Sequence, residues 1–131
     1  MVKISKEVYN KLLNNSITQK QNKYRNTRIY YDGRWFDSKK EKAWYIKYKL
    51  LEKAEKIWDL ECQKEFVLIE TFKLNDKTYR KMSYFADFVF LDSDNKWHVV
   101  DVKSPATRKD KTYQLKKKLM AWKYGIEIEE V

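Results

Sequence analysis

Between Met82 and Lys103 the chain carries two apolar runs, Met82–Leu91 and Lys96–Lys103, separated by Asp92-Ser93-Asp94-Asn95. A cluster of turn-forming residues between two such runs reads as a pair of strands joined by a tight connection. What sets this pair apart is its acids. Asp87 interrupts the first run, and Asp101-Val102-Lys103 closes the second. Side chains alternate along a strand, so Asp101 and Lys103 point one way while Val102 points into the other layer. Folding the second strand back on the first then brings Asp101 close to Asp87.

The rest of the chain supplies elements to pack on that pair. Ser5 to Leu13 reads as a short amphipathic helix with Val8, Leu12 and Leu13 on one side. Asn14 to Arg28 is a polar arm holding Lys20, Lys23, Arg25 and Arg28. Ile29-Tyr30-Tyr31, Asp32-Gly33 and Arg34-Trp35-Phe36 form a two-residue hairpin signal. A helix is expected from Ser38 to Lys56, with Ser38 as N-cap and Ala43, Tyr45, Ile46, Leu50, Leu51 and Ala54 as apolar positions. Ile57 to Thr71 holds one or two strands, best defined at Phe66–Ile69, and Asn75-Asp76-Lys77 marks a turn.

Ser104 to Asp110 reads as a polar loop. Lys111 to Tyr124 reads as a helix with Leu115, Leu119 and Trp122 at helical spacing and Gly125 as its stop. Ile126 and Ile128, alternating with Glu127 and Glu129, make a last short strand. The division is residues 1–28, an N-terminal helix and basic arm, and 29–131, the main domain. The fold class is α/β, a mixed central sheet flanked by helices.

Charge narrows the partners. The 131 residues include 29 Lys+Arg against 19 Asp+Glu, a formal net charge of +10. Such an excess favours polyanions, nucleic acid before an anionic membrane surface. Cys62 is the single cysteine, which excludes an intrachain disulfide and suits a reducing compartment. With His98 the single histidine, a closed zinc site is also excluded. No secretory signal and no membrane-spanning run is present in the sequence, so the expected location is the cytoplasm.

Phosphodiester cleavage needs an activated water and neutralisation of charge on the phosphate, and Mg2+ provides both through a few carboxylate oxygens. Asp87 and Asp101 are the candidate ligands, with the Val102 carbonyl as a further contact and Lys103 holding water or phosphate charge. Glu41, one turn into the long helix, can join them if that helix crosses the sheet end. Each has a plainer reading beside it. Glu41 completes a capping box with Ser38, and Asp101 with Lys103 is an ion pair worth about 0–1 kcal/mol if exposed. Gln63 reads as ordinary strand-edge sequence, and His98 as a strand residue on the face opposite Asp101. Asp92–Asn95 lacks the Gly and distal Glu of a calcium loop.

Asp87, then Asp101-Val102-Lys103, with Glu41 in the preceding helix, resemble the PD-(D/E)XK nuclease superfamily. Phe36-Asp37-Ser38-Lys39-Lys40-Glu41, Leu115-Lys116-Lys117-Lys118-Leu119 and Tyr124-Gly125-Ile126 look close to a family of small phage and prophage proteins long left as a domain of unknown function. That family is placed near Holliday-junction resolvases and phage endonucleases. The resemblance covers Tyr24 to Val131, departing from the usual motif in having Ala86 rather than proline before Asp87. It implies a restriction-endonuclease-like core, and Mg2+-dependent cleavage (Mn2+ can substitute) in a phage-infected bacterial cytoplasm. Glu41, Asp87 and Asp101 would be ligands and Lys103 the catalytic lysine, and Gln63 lies where superfamily members sometimes place a supporting polar residue.

Lys23, Arg25, Arg28, Arg34, Lys39, Lys40, Arg108, Lys109, Lys116 and Lys117 are the candidate DNA contacts, with Tyr24, Tyr30, Tyr31 and Trp35 interleaved among the first of them. Phosphate contacts of this kind give affinity without reading bases. No base-reading module is recognisable, so recognition of branched DNA by shape is expected, by a homodimer. Two other classes remain open: a non-catalytic DNA-binding accessory protein on a nuclease fold, and an RNA-binding or membrane-surface module.

Overall fold

In a computed structural model, residues 28–131 are described. The helix expected at Ser5–Leu13 and the arm up to Thr27, including Lys20, Lys23 and Arg25, lie outside them. The chain divides into two compact units, residues 1–43 and 44–131.

In the first unit, β1 (Ile29–Tyr31) pairs antiparallel with β2 (Arg34–Phe36). Asp32 and Gly33 both take positive φ, 52° and 76°, the backbone that a two-residue turn of primed type requires. The helix α1 (Lys39–Lys53) starts as expected, with the Glu41 amide donating to Ser38 Oγ at 3.0 Å. Its end comes earlier than expected. Glu55 adopts φ 58°, and the Lys56 amide closes on the Leu51 carbonyl while that of Glu55 closes on Glu52. This is a Schellman stop built on a non-glycine residue.

The second unit is organised by a four-stranded sheet in the order β3-β6-β7-β8, formed by β3 (Ile57–Ile69), β6 (Met82–Asp92), β7 (Trp97–Asp101) and β8 (Glu129–Glu130). The first three strands are mutually antiparallel and β8 joins β7 in parallel, so the sheet is mixed. The segment from Ile57 forms one long strand, ending at Ile69. Register shifts fall between Trp58 and Glu61 and between Val67 and Ile69, the second leaving an extra residue opposite Ser83 and Met82. Such bulges bend and twist a strand of this length. Lys123 Nζ and the Tyr124 hydroxyl both donate to the Val67 carbonyl, at 3.0 and 2.5 Å, fastening the end of a helix there.

That helix is α3 (Lys111–Tyr124), with Asp110 as N-cap and Gly125 in left-handed conformation as its stop. Its inner face differs from the expected one. Tyr113 and Met120 are buried, whereas Leu115 is 47% and Trp122 79% exposed. The loop before it contains a single helical turn, α2 (Pro105–Arg108), because Ser104 caps Thr107, Thr107 caps Ser104, and Pro105 suits the first helical position.

Both faces of the sheet are covered. Tyr84, Ala86, Val89, Val99 and Ile128 pack with Tyr113 and Met120, and Phe88 and Phe90 lie against Tyr48 with ring centroids 5.1 and 4.9 Å apart. Strict alternation would put Ala86 and Phe88 on the same face. They face opposite layers, so the inward direction of β6 changes across Asp87. Between β3 and β6 lies a small separate sheet, β4 (Phe72–Leu74) with β5 (Lys77–Tyr79), which the expected turn at Asn75–Lys77 closes but whose strands the sequence reading did not anticipate.

β8 is held by the backbone bonds Val131 N–H to the Asp101 carbonyl and Lys103 N–H to the Val131 carbonyl. A side-chain clamp adds to them. His98 Nδ1 lies 2.5 Å from Glu129 Oε2 and Nε2 lies 2.7 Å from Asp92 Oδ2, with the ring stacked on Phe90. Only the imidazolium can donate on both sides. Accordingly the His98 pKa is raised, chiefly by Asp92 and then by Glu129 against opposing burial. A raised folded value means the clamp stabilises fully below about pH 6.5 and fades as pH rises through the folded pKa. His98→Gln should therefore lower the urea midpoint more at pH 6 than at pH 9; an equal loss at both would remove the charge from the argument.

Candidate functional site

Asp87 and Asp101 meet where β6 and β7 leave their ladder. Phe88 pairs with Val100, so one step further along both strands Asp87 comes opposite Asp101. The Asp87 carboxylate is held at both oxygens. Oδ2 accepts the Val102 amide at 2.8 Å, and Oδ1 accepts Gln63 Nε2 at 2.9 Å. An ionised carboxylate has about four lone-pair positions, so these bonds orient it and leave capacity for another ligand.

Asp101 is 5% exposed. Its Oδ2 accepts the Tyr84 hydroxyl at 2.6 Å and lies 3.6 Å from Lys103 Nζ. Burial first, and the neighbouring Asp87 carboxylate second, push the Asp101 carboxyl up to about 7, outweighing the downward pull of Tyr84 and Lys103. The Tyr84 hydroxyl is in turn pushed up by burial and by Asp101. Two carboxylates this close behave as a pair sharing charge unfavourably until a proton or a cation intervenes.

Lys103 lies with Nζ 3.9 Å from the centroid of the Tyr113 ring, a cation–π contact that shapes its position as well as its charge environment. The Tyr113 hydroxyl donates to Glu130 Oε2 at 2.5 Å, and Lys117 Nζ donates to the same oxygen at 3.1 Å. Arg108 Nε lies 3.8 Å from Glu130 Oε1. Because Asp101 pairs with Glu130 in the sheet, β8 carries the acid that anchors this whole basic edge.

Gln63, which the sequence offers both as strand edge and, through the resemblance, as a supporting polar residue, takes the supporting place. It lies between the Cys62–Phe88 and Lys64–Ala86 pairs and has φ 54° in mid-strand. A non-glycine residue in that region costs about 1–3 kcal/mol and is kept where surrounding structure requires it. Here its amide reaches Asp87. No local sequence signal announces this; the strand register does. Tyr84, Tyr113 and Glu130 were missed, though buried tyrosines needing a hydroxyl partner are a general cue.

The other expected site residues are placed as follows. Glu41 belongs to residues 1–43, is 6% exposed, and accepts the Asp37 amide at 2.9 Å. Its carboxylate thus reaches back to the backbone ahead of the helix while Ser38 Oγ caps the Glu41 amide. Arg28 lies 3.6 Å from Asp37 and over the Trp35 ring. Arg34, Lys39, Lys40 and Lys109 are exposed, and Lys116 and Lys117 are half-buried. Among the described residues no three His, Cys, Asp or Glu side chains form a metal-holding group. Asp87 and Asp101 nevertheless suit Mg2+, which binds through one or two carboxylates and takes its other ligands from water and phosphate. No described helix is long and apolar enough to cross a membrane.

Residues 21–129 match a family described as "Protein of unknown function (DUF1064)". No curated protein and no solved structure matches the chain.

The raised Asp101 carboxyl has a stability consequence. Its contribution is full below the unfolded value near 4 and is lost as pH rises through about 7. Asp101→Asn keeps an acceptor for Tyr84 and gives Asp87 a donor. Without added metal at pH 8 it should stabilise the protein by on the order of 2 kcal/mol, several degrees in Tm. Calorimetry at pH 5 and pH 8 checks this, with the gain confined to the higher pH.

Proposed function

The chain belongs to the DUF1064 family, whose function is unknown, and on its own side chains we propose a Mg2+-dependent, structure-selective DNA endonuclease acting on branched DNA. The observation that carries this reading is the Asp87–Asp101 pair on adjacent strands with Lys103 just past the end of β7 beside it, three groups whose charges fit a cation and a phosphate. Their order along the chain, together with Glu41, supports kinship with PD-(D/E)XK nucleases and Holliday-junction resolvases. A helix-flanked mixed sheet suits that kinship.

In this reading Asp87 and Asp101 hold the cation. The Val102 carbonyl would add a further contact, and Glu41 is a ligand only by the resemblance. Bound Mg2+ supplies charge neutralisation at the phosphate and acidifies a water for attack at phosphorus. Gln63 and the Val102 amide keep the Asp87 carboxylate aimed, and Tyr84 does the same for Asp101. Lys103 Nζ, confined by the Tyr113 ring, donates to a phosphate oxygen as charge accumulates there. The exposed bases Arg34, Lys39, Lys40 and Lys109, with the net charge of +10, favour backbone binding. A homodimer follows from the paired cuts that a junction requires, and a bacterial or phage setting from the resemblance.

The second reading is a non-catalytic DNA-binding protein on the same fold. It draws on the lack of a third metal-ligating side chain beside the pair among the described residues. Incubating the protein with a four-way junction and a matched linear duplex, with and without Mg2+, separates the two. The junction should be cut only with the cation. Asp101→Ala and Lys103→Ala should each lower cleavage by at least a hundredfold while binding persists. Full cleavage by both variants, or binding without cleavage by the parent in Mg2+ and Mn2+, rejects the enzyme.

A further inference from the structure

The β4–β5 hairpin spends its side chains in an unusual way. Its register pairs Phe72 with Tyr79, Lys73 with Thr78 and Leu74 with Lys77. Directly opposed residues and those two apart share a face, so Phe72, Leu74, Lys77 and Tyr79 lie together. The two rings are stacked at 4.8 Å and 8°, and Lys77 Nζ sits 5.1 Å from the Tyr79 centroid. None of this is buried: Phe72 is 47%, Leu74 58% and Tyr79 37% exposed. A two-stranded hairpin is marginal alone, and a wholly solvated aromatic face adds nothing to a core.

Its position supplies the partner. Residues 70–81 connect Ile69 to Met82, which are paired at one end of the β3–β6 ladder. β7 runs antiparallel to β6, so Asp101, Val102 and Lys103 proceed toward that same end. From Asp87 to Met82 is five residues, about 17 Å of strand, a span of only a few nucleotides of extended single strand. Lys77 shares the aromatic face, and residues 70–81 as a whole carry Lys73, Lys77, Arg80 and Lys81 against Glu70 and Asp76, with Lys81 paired to Glu65 at 3.0 Å. A second copy of a chain of charge +10 would meet like charge here. Unpaired bases on an anionic backbone offer a flat ring for each aromatic and a phosphate for each base.

We propose that the β4–β5 hairpin is a nucleic-acid-binding arm whose Phe72–Leu74–Lys77–Tyr79 face stacks unpaired bases a few nucleotides from the phosphate at Asp87 and Asp101. The distance rests on the nuclease reading; the binding face does not. It adds a preference to that reading, since fully paired duplex hides the ring faces that the arm takes up.

Fluorescence anisotropy tests it on the full chain carrying Asp101→Asn, with Ca2+ in place of Mg2+ so that no strand is cut. The probes are a labelled duplex with a ten-nucleotide single-stranded arm and the same duplex blunt-ended. Combined Phe72→Ala and Tyr79→Ala should weaken binding to the armed probe by about tenfold or more and change the blunt probe little. Tyr79→Phe should retain binding, and Lys77→Gln should give a smaller loss that shrinks at high salt. Unchanged affinity of the double variant for the armed probe overturns the proposal. So does an equal loss on both probes, or a dimer in sedimentation that the double variant dissolves, which would give the face to a second copy. Should the double variant misfold by circular dichroism, Lys77→Gln and Phe72→Leu decide by the same comparison. Hairpin-dependent binding by a parent protein that never cuts DNA would keep this inference and remove the nuclease. Cutting with hairpin-independent binding would do the reverse.

Discussion

Holding two carboxylates side by side in a nearly buried position is unfavourable, and much of the local structure makes sense as what keeps Asp87 and Asp101 there. The strain shows directly in the Asp101 carboxyl, pushed up to about 7 by burial and by its neighbour. Against that stand the Tyr84 hydroxyl on Asp101, and the Val102 amide and Gln63 on Asp87. Each restraint comes from a different point on β3, β6 or the end of β7. Neither acid can swing away from the other without losing bonds it cannot remake in a site so little exposed to water.

The surrounding backbone is bent to the same purpose. β6 changes its inward direction across Asp87, so Ala86 packs toward α3 while Phe88 packs toward Tyr48. Gln63 opposite it occupies a left-handed conformation that glutamine disfavours. Strain of this sort survives only when neighbours over-determine it, and here the paired β3–β6 ladder on either side does so. At the other edge, Glu130 gathers the Tyr113 hydroxyl and Lys117, and Tyr113 gives Lys103 a surface to lie on. The arrangement joins a metal-suited pair of acids to a placed amine through the core itself rather than through a mobile loop. Under the proposed reading, a phosphate would meet groups that are already oriented.

The elements that were legible share a cause: their signals are local. Asp32-Gly33 dictates a primed turn, Ser38 and Gly125 bracket helices, and Asp92–Asn95 can only connect two strands. The convergence of Asp87, Asp101 and Lys103 was legible for a related reason, since a short hairpin propagates its register over few residues. Misreadings arose where packing, not local preference, decides. Leu115 and Trp122 have helical spacing, yet Tyr113 and Met120 face the sheet, because the inner stripe is set by what β3, β6 and β8 present. The β4–β5 strands escaped notice because each is 3 residues long, too short for a period-2 pattern to stand out.

The sequence by itself determined the class of the chain, an α/β domain of strong positive charge, and the acids and lysine that meet at one sheet edge. Tertiary structure alone decided that Gln63 supports Asp87, that Glu130 anchors the basic edge, and that Asp101 is a carboxyl reluctant to ionise. The reason is physical. Charge, turns and caps are properties of neighbours in sequence, whereas a pKa, a strained φ or a shared hydrogen bond depends on what distant segments bring within a few ångströms.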